Sequence, residues 1–374
     1  MQFDFSEEEN ARCERLQTLL DPALEKDLAS RDTAGAAVRT ASARLADAGY
    51  LALGSTGETP SAAAARLAAM ERLAAQVPAV FLTVEYGVRL LGRALARWGT
   101  PAQQRRWLTG HAPGEGLGAL AFSERTLNVD NDPLETAGIV QEDAAVLNGH
   151  KGFVVNAPLA ERFGVVGQME GTPAIFLLTR RMPGLEIGDR LATLGYDGLH
   201  IADVTMKDCR VALADILRAP ASDDLPARLR LWENEILMAA ALGLMQAALT
   251  EARDYAKAHR TGGKPIIAYQ EVGFKLAEML TLLQTAQFLA YRAAWTAQAE
   301  PKAAASLNWC AKVFCSEAAE RVCGDALRIL GAHGFRADSA AAKAYRAVKL
   351  TQIGGTSTEI ARVKIGDAAM GYRN

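Results

Sequence analysis

AAVLNGHKGFVVNAPLAERFGVVGQMEGTPAIFLLT, residues 144–179, decides the fold class of this chain. Its β-prone runs, Ala145 to Leu147, Phe153 to Val155, Phe163 to Val166 and Ala174 to Leu178, are a few residues each and are separated by glycine and asparagine turns. Strands this short with turn signals this close predict a compact sheet or small barrel, and they leave no room for the crossover helices of a Rossmann domain. The same texture runs from about Gly116 to Leu217 and takes in Ala119 to Phe122 and Ile201 to Met206.

On either side the period changes. From Ser6 to Leu108 the chain is rich in Ala, Leu and Arg, with apolar residues at helical spacing in Val38, Ala41, Leu45 and Ala48 and in Val84, Val88, Leu91 and Leu95. Breaks fall at Gly54 to Pro60 and at Gly99-Thr100-Pro101, where Thr suits an N-cap and Pro the first helical turn. After Pro226 long helical segments return, at about Ala227 to His259, Tyr269 to Gln298, Lys302 to Leu330 and after Thr356, which predicts an antiparallel four-helix bundle. The expectation is a mainly α protein with a central β domain: a helical domain at 1–115, a β domain at 116–218 and a helical bundle at 219–374.

Composition narrows the partners. The 41 Lys and Arg are balanced by 43 Asp and Glu, so no global basic field exists to hold nucleic acid or an anionic bilayer. Five cysteines, an odd number with no C-x-x-C spacing, argue against a disulfide framework and against a zinc site. No metal site is expected, and a reducing cytoplasm fits best. The amino terminus lacks the basic-then-apolar order of a signal peptide, and the most apolar stretch, Ile236 to Met245, is shorter than the roughly 20 residues of a membrane span.

Five separated segments carry a family resemblance. Gly118-Ala119-Leu120-Ala121-Phe122-Ser123-Glu124 is similar to a strand of the acyl-CoA dehydrogenases in which a hydroxyl contacts the flavin, and Asn148 to Ala157 is similar to the family's Asn-Gly-x-Lys-x-Trp/Phe-Ile-Thr-Asn strand. Arg260-Thr261-Gly262-Gly263-Lys264-Pro265 with Gln270 resembles the family's Arg-x-x-Phe-Gly-Lys-Pro segment, and Arg328 to Phe335 its Gln-x-x-Gly-Gly-x-Gly-Phe turn. Arg346 through Gly354-Gly355-Thr356-Ser357-Thr358-Glu359-Ile360 resembles the segment ending Glu-Gly-Thr-Ser-Glu-Ile.

The resemblance implies an FAD site. Phe122, Ser123, Phe153 and Val155 would lie at the isoalloxazine, while His259, Arg260, Gln270, Arg328 and Gly331 would reach the cofactor of a neighbouring subunit. Thr356, Ser357 and Glu359 complete the set, in a turn whose backbone N–H groups suit a pyrophosphate at a helix start. The chain departs from the pattern in several places. Gapless matching puts His259 at the family Arg, Gly262 at the Phe, Arg328 at the Gln, Val155 at the Thr and Asn128-Val129-Asp130 at a Gly-Ser-Asp turn.

Oxidising an acyl thioester requires a carboxylate that removes an α-proton. Most of the family carries it just before the Gly-Thr of the last segment, where this chain has Gly355, or Gly354 when the match is anchored on Gly-Thr-Ser. A minority carries it on the preceding long helix, nine residues before an aliphatic-Gly pair, and counting back nine from Leu242-Gly243 lands on Glu233. Glu235 is the nearest competitor, but two residues turn a helical side chain by about 200°. Glu233 is therefore the expected base, and Gly355 keeps a backbone N–H for the thioester oxygen.

The resemblance implies FAD-dependent α,β-dehydrogenation of an acyl-CoA, with an electron-transfer flavoprotein or oxygen as acceptor and a homodimer or homotetramer as the assembly. Short matches at Trp232-Glu233, Asn156-Ala157-Pro158 and Tyr291 to Trp295 are similar to dehydrogenases of prolyl groups on carrier proteins, so a carrier-bound acyl thioester is an alternative substrate. A diverged non-catalytic subunit or a flavin oxygenase on the same fold is the further alternative. Glu115, Asp130 and Asp132 are expected to flank the site mouth.

Overall fold

A computed structural model describes residues 5–54, 58–107, 117–124 and 133–372; Glu115, the Asn128-Val129-Asp130 turn and Asp132 lie outside the described residues. The amino-terminal helices are α1 (Glu7–Leu19), α2 (Ala23–Ala29), α3 (Ala34–Asp47), α4 (Pro60–Gln76), α5 (Pro78–Val84), α6 (Leu91–Trp98) and α7 (Pro101–Trp107). Helices α1, α4 and α7 begin at a side chain that satisfies a free N–H group. Ser6 and Glu9 form a reciprocal capping box on α1, and Thr59 caps α4 with Pro60 at its first position. The Thr100 hydroxyl accepts from the Gln103 N–H at 3.3 Å while the Gln103 side chain takes the Thr100 N–H at 2.7 Å, as the Thr-Pro signal predicts. Between α5 and α6 the helix widens into a π turn, Glu85–Leu90.

The strands are β1 (Gly118–Ala121), β2 (Ala137–Gln141), β3 (Ala144–Val155), β4 (Arg162–Met169), β5 (Thr172–Thr179), β6 (Leu185–Ile187), β7 (Ile201–Ala212) and β8 (Ile216–Arg218). They form one sheet in the order β6-β7-β3-β2-β4-β5-β8, with β1 paired in parallel to β4. Two runs read separately from the sequence, Ala145 to Leu147 and Phe153 to Val155, belong to one long strand, β3. Against β7 that strand slips register between Lys151 and Val154, a β-bulge at Gly152-Phe153.

The carboxy-terminal helices are α8 (Leu225–Ala258), α9 (Gln270–Ala299), α10 (Pro301–Leu330), α11 (Ala340–Ile353) and α12 (Thr358–Met370), with the small hairpin β9 (Arg260–Thr261) and β10 (Lys264–Pro265) after α8. The sequence pattern marks four of these five helices. It misses α11, whose buried face is mostly alanine, Ala341, Ala344 and Ala347, and gives little contrast in apolarity. By length and composition α8 could cross a membrane, but 78% of its apolar window is buried inside the protein, as befits the central helix of a core. That core runs from α1 through α4 and α8 into α10, and a second cluster fills the sheet.

Candidate active site

Asp224 caps α8, accepting from the Ala227 N–H at 3.0 Å, and the first turns of the helix face the π turn and the end of β1. Here Glu233 is held by both carboxylate oxygens. The Tyr86 hydroxyl donates to Oε1 at 3.1 Å and the Arg230 guanidinium to Oε2 at 2.7 Å. Arg230 is itself buried and lies 4.3 Å from the centre of the Phe122 ring.

Glu235 has the opposite fate, as the helical rotation requires. Its carboxylate turns into the amino-terminal helices, 3.2 Å from Arg66 and 3.0 Å from Arg93. Burial would raise its pKa, but the two guanidinium groups outweigh burial and hold it below the ordinary carboxylate value. Glu235 is thus a structural ion pair. Trp232, just before Glu233, packs on Trp98 at 5.5 Å and under Arg93 at 4.5 Å.

The flavin-wall residues expected from sequence are brought together by the β1–β3 junction. The Gly152 N–H donates to the Ser123 carbonyl at 3.0 Å, which sets Phe122 and Ser123 beside the bulge that carries Phe153. Phe153 has a φ of 54° and is 59% exposed, an unusual state for an aromatic residue, and its N–H is fixed by the Asp203 carboxylate at 3.0 Å. Beneath it, buried Lys151 donates to the Phe122 carbonyl at 3.1 Å and to Glu124 at 2.7 Å. Glu124 also accepts the N–H groups of Glu135 and Thr136; against burial, these partners keep it ionised below its usual range. An outward-facing aromatic and a nearby hydroxyl on a locked strand junction fit the flat, heteroatom-rimmed ring of a flavin.

The turn at Gly354–Thr356 packs on α8 at Asn234 and Leu237. A Cβ placed on Gly355 would lie 2.5 Å from Asn234 Oδ1 and 3.1 Å from Leu237. Gly355 also has a φ of 62°, so this position excludes a side chain twice over. Asn234 binds the turn, accepting the Thr356 N–H at 3.0 Å and donating to Asn308 at 2.9 Å. Ser357 caps α12 by accepting the Ile360 N–H at 3.4 Å, and Glu359 stands in its first turn. Within the Gly354 to Thr358 turn expected to cradle a pyrophosphate, two N–H groups are already satisfied inside the protein, that of Gly354 by the Leu350 carbonyl at 2.8 Å and that of Thr356 by Asn234.

His259, Arg260, Gln270, Arg328 and Gly331 lie elsewhere, around the distal end of α8. His259 stacks on Tyr255 at 4.8 Å, and Tyr255 on His333 at 5.5 Å. Arg260 donates to the Gly263 carbonyl at 2.7 Å, and Arg328, 74% exposed in its side chain, pairs with Asp325 at 3.3 Å. The structure thus divides the predicted residues into two groups. Sequence reasoning missed Tyr86 and Arg230; Arg230 was detectable from its i,i+3 spacing to Glu233, whereas nothing in the alanine- and leucine-rich helical run announces a π turn at Tyr86.

The helical domain, central sheet and helical bundle thus join a half-buried carboxylate, Glu233, through Arg230 to the strand end at Phe122, an order of domains that points to the flavin-dependent oxidoreductases. Family comparison makes this specific: the acyl-CoA dehydrogenase N-terminal, middle and C-terminal domains match residues 6–115, 119–209 and 232–370, and the chain belongs to the acyl-CoA dehydrogenase family. It is an oxidoreductase of CH–CH bonds with FAD as cofactor. Among its relatives, a 3-(aryl)acrylate reductase of Clostridium sporogenes is 31% identical over 74% of each chain. A benzylmalonyl-CoA dehydrogenase of Aromatoleum aromaticum is 29% identical over 98% of each. Similar solved structures include the butyryl-CoA dehydrogenase of Megasphaera elsdenii, with a TM-score of 0.86 and 24% identity over 99% of this chain and 100% of that one. Another is the prolyl acyl carrier protein oxidase AnaB, with a TM-score of 0.84 and 20% identity over 98% and 100%.

Proposed function

We propose that the protein removes two hydrogens from the α and β carbons of an acyl thioester, with Glu233 as the base for the α-proton. The observation that carries this is the contrast between two glutamates two residues apart: Glu235 is enclosed by two guanidinium groups, Arg66 and Arg93, whereas Glu233 meets one, Arg230, which itself stacks on Phe122 at the end of β1. The α C–H bond breaks toward a Glu233 oxygen. FAD, which Phe122, Ser123, Phe153 and Val155 would wall at its ring, would supply the acceptor for the β-hydride. The Gly355 N–H, on the turn beside Asn234 and Leu237, would hold the thioester oxygen as negative charge develops there.

His259 lies 26 residues beyond Glu233 along α8, about 39 Å at the rise of an α-helix. One chain therefore cannot close both residue groups on one cofactor. A second copy supplies His259, Arg260, Gln270, Arg328 and Gly331, and the holoprotein is expected to sediment as a dimer or tetramer. A monomer with full FAD content would refute this arrangement.

The aryl groups in the two relatives' names support a 3-arylpropanoyl thioester as the first substrate to test; electron-transfer flavoprotein or oxygen would then reoxidise the flavin. The test is anaerobic bleaching of the bound flavin by 3-phenylpropanoyl-CoA, butyryl-CoA and a prolyl carrier protein. Bleaching by one of them is the expected result, with butyryl-CoA slow. Bleaching by the carrier-bound prolyl group alone assigns the protein to carrier-dependent oxidation instead, and no bleaching by any of the three contradicts thioester dehydrogenation.

A further inference from the structure

A base that must reach a carbon acid is only as good as its placement, because an error of about 1 Å can cost about 100-fold in rate. Glu233 has a flexible side chain, yet one donor meets each of its oxygens, Tyr86 from the π turn and Arg230 from one turn earlier in α8. A carboxylate oxygen has two lone-pair directions, so one direction on each oxygen remains for the substrate.

Both donors are rigidly mounted. Helix α5 is pinned at its start by Glu25, which accepts the Ala79 and Val80 N–H groups at 2.9 Å each, and α6 is pinned by the Arg93–Glu235 ion pair. The helical phase between these points is set by the extra residue of the π turn, which rotates what lies on one side by about 100° relative to an unbroken helix. The turn is locked by Glu85, which accepts from Tyr50 at 2.6 Å and pairs with Arg89 at 3.4 Å. It also presses on the sheet: a Cβ on Gly87 would lie 2.6 Å from Asn156 Nδ2 and 3.0 Å from the Gly118 carbonyl. Arg230 is fixed by its stack on Phe122, whose carbonyl is held by Lys151. The acid is thereby tied to the helical domain by one oxygen and to the flavin-wall strand by the other.

We propose that Tyr86 and Arg230 are positioning residues that clamp the two oxygens of Glu233 in the orientation from which it takes the α-proton, a role that rests on Glu233 being the base. Burial, followed by the charge of Glu233, raises Tyr86 well above the ordinary phenol value, so it stays a donor throughout the neutral range.

Two measurements test this, one of them free of substrate. In urea unfolding of the holoprotein, Tyr86→Phe and Arg230→Gln are made in the parent and in Glu233→Ala. A clamp predicts midpoint shifts in the parent that shrink by at least about half once the acid is gone; equal shifts in both backgrounds overturn it. In rapid-mixing flavin reduction by 3-phenylpropanoyl-CoA, the limiting rate should fall about 10-fold in Tyr86→Phe and about 100-fold in Arg230→Gln, with half-saturation changed less than about threefold and with Arg230→Lys recovering most of the rate. An unchanged limiting rate, or Arg230→Lys as slow as Arg230→Gln, overturns the proposal. If the parent is not bleached by this thioester, the unfolding cycles alone decide. Glu233→Gln separates the two claims: reduction at the parent rate in that variant removes the base, whereas its loss with unaffected Tyr86→Phe and Arg230→Gln removes only the clamp.

Discussion

Glu235→Gln is the substitution whose effect the structure predicts most sharply. It removes the charge that faces two buried guanidinium groups, Arg66 with a fully buried side chain and Arg93 with 12% of its own exposed. Burial draws Arg93 down to about 10, Arg66 and Arg89 repel it, and Glu235 opposes both effects. Breaking a buried pair from one side costs about 3–5 kcal/mol because the remaining charge stays desolvated. Arg66 keeps Glu58 at 3.0 Å, so the lower part of that range applies, about 3 kcal/mol. The assay is urea unfolding at neutral pH, compared with the parent. The folded-state pKa of Glu235 lies below its ordinary 4.5, so its stabilising charge is present above that value and lost as the pH falls through the folded one. The gap between variant and parent should therefore narrow on acidification. A loss under about 1 kcal/mol, or a gap that widens in acid, would refute the assignment of Glu235 to structure.

Three further outcomes follow from the same geometry. Burial raises Glu25 to about 7 against the support of the Ala79 and Val80 N–H groups, so its contribution is present below 4.5 and lost as the pH rises through about 7. Stability should decline over that window by at most about 2 kcal/mol, given the partly exposed edge of the side chain, and Glu25→Gln should flatten the decline in a pH series of unfolding midpoints. Glu233→Gln with Gly355→Glu should recover no flavin reduction, because the new side chain meets Asn234 Oδ1 and a φ of 62°; adding Asn234→Ala should permit partial recovery, and recovery without it would show that the turn is softer than the packing implies. Sedimentation of the holoprotein checks the shared cofactor site, and His259→Ala with Arg328→Ala should lower FAD retention by about tenfold or more if these groups serve a neighbour's cofactor.

The domain-scale pattern was legible because it depends on period and punctuation. The β texture of 144–179 and the Thr100-Pro101 start are local signals, and the structure has both, although two of the brief runs join into the single strand β3. The helical rotation that separates Glu233 from Glu235 is also local, and the two acids do meet different partners. What remained hidden was non-local. The bulge that turns Phe153 outward depends on register against β7, and the donor from Tyr86 depends on a π turn 147 residues away in sequence from the acid it meets. Helix α11 escaped because alanine fills a close-packed face without the contrast that periodicity needs. The offer of N–H groups at Gly354 to Thr358 was overestimated for a related reason: Asn234, distant in sequence, already takes one of them.

The central claim is that Glu233 takes the α-proton, and rapid-mixing reduction of the FAD in Glu233→Gln tests it most directly. The thioester is whichever one bleaches the parent, and FAD content is measured on the same sample. Gln keeps the size of the side chain and one oxygen to accept from Arg230, but its amide NH2 cannot accept from Tyr86 and the side chain cannot take up the proton, so full FAD content is expected with reduction slowed by about 100-fold or more. Full FAD content with reduction at the parent rate would contradict it.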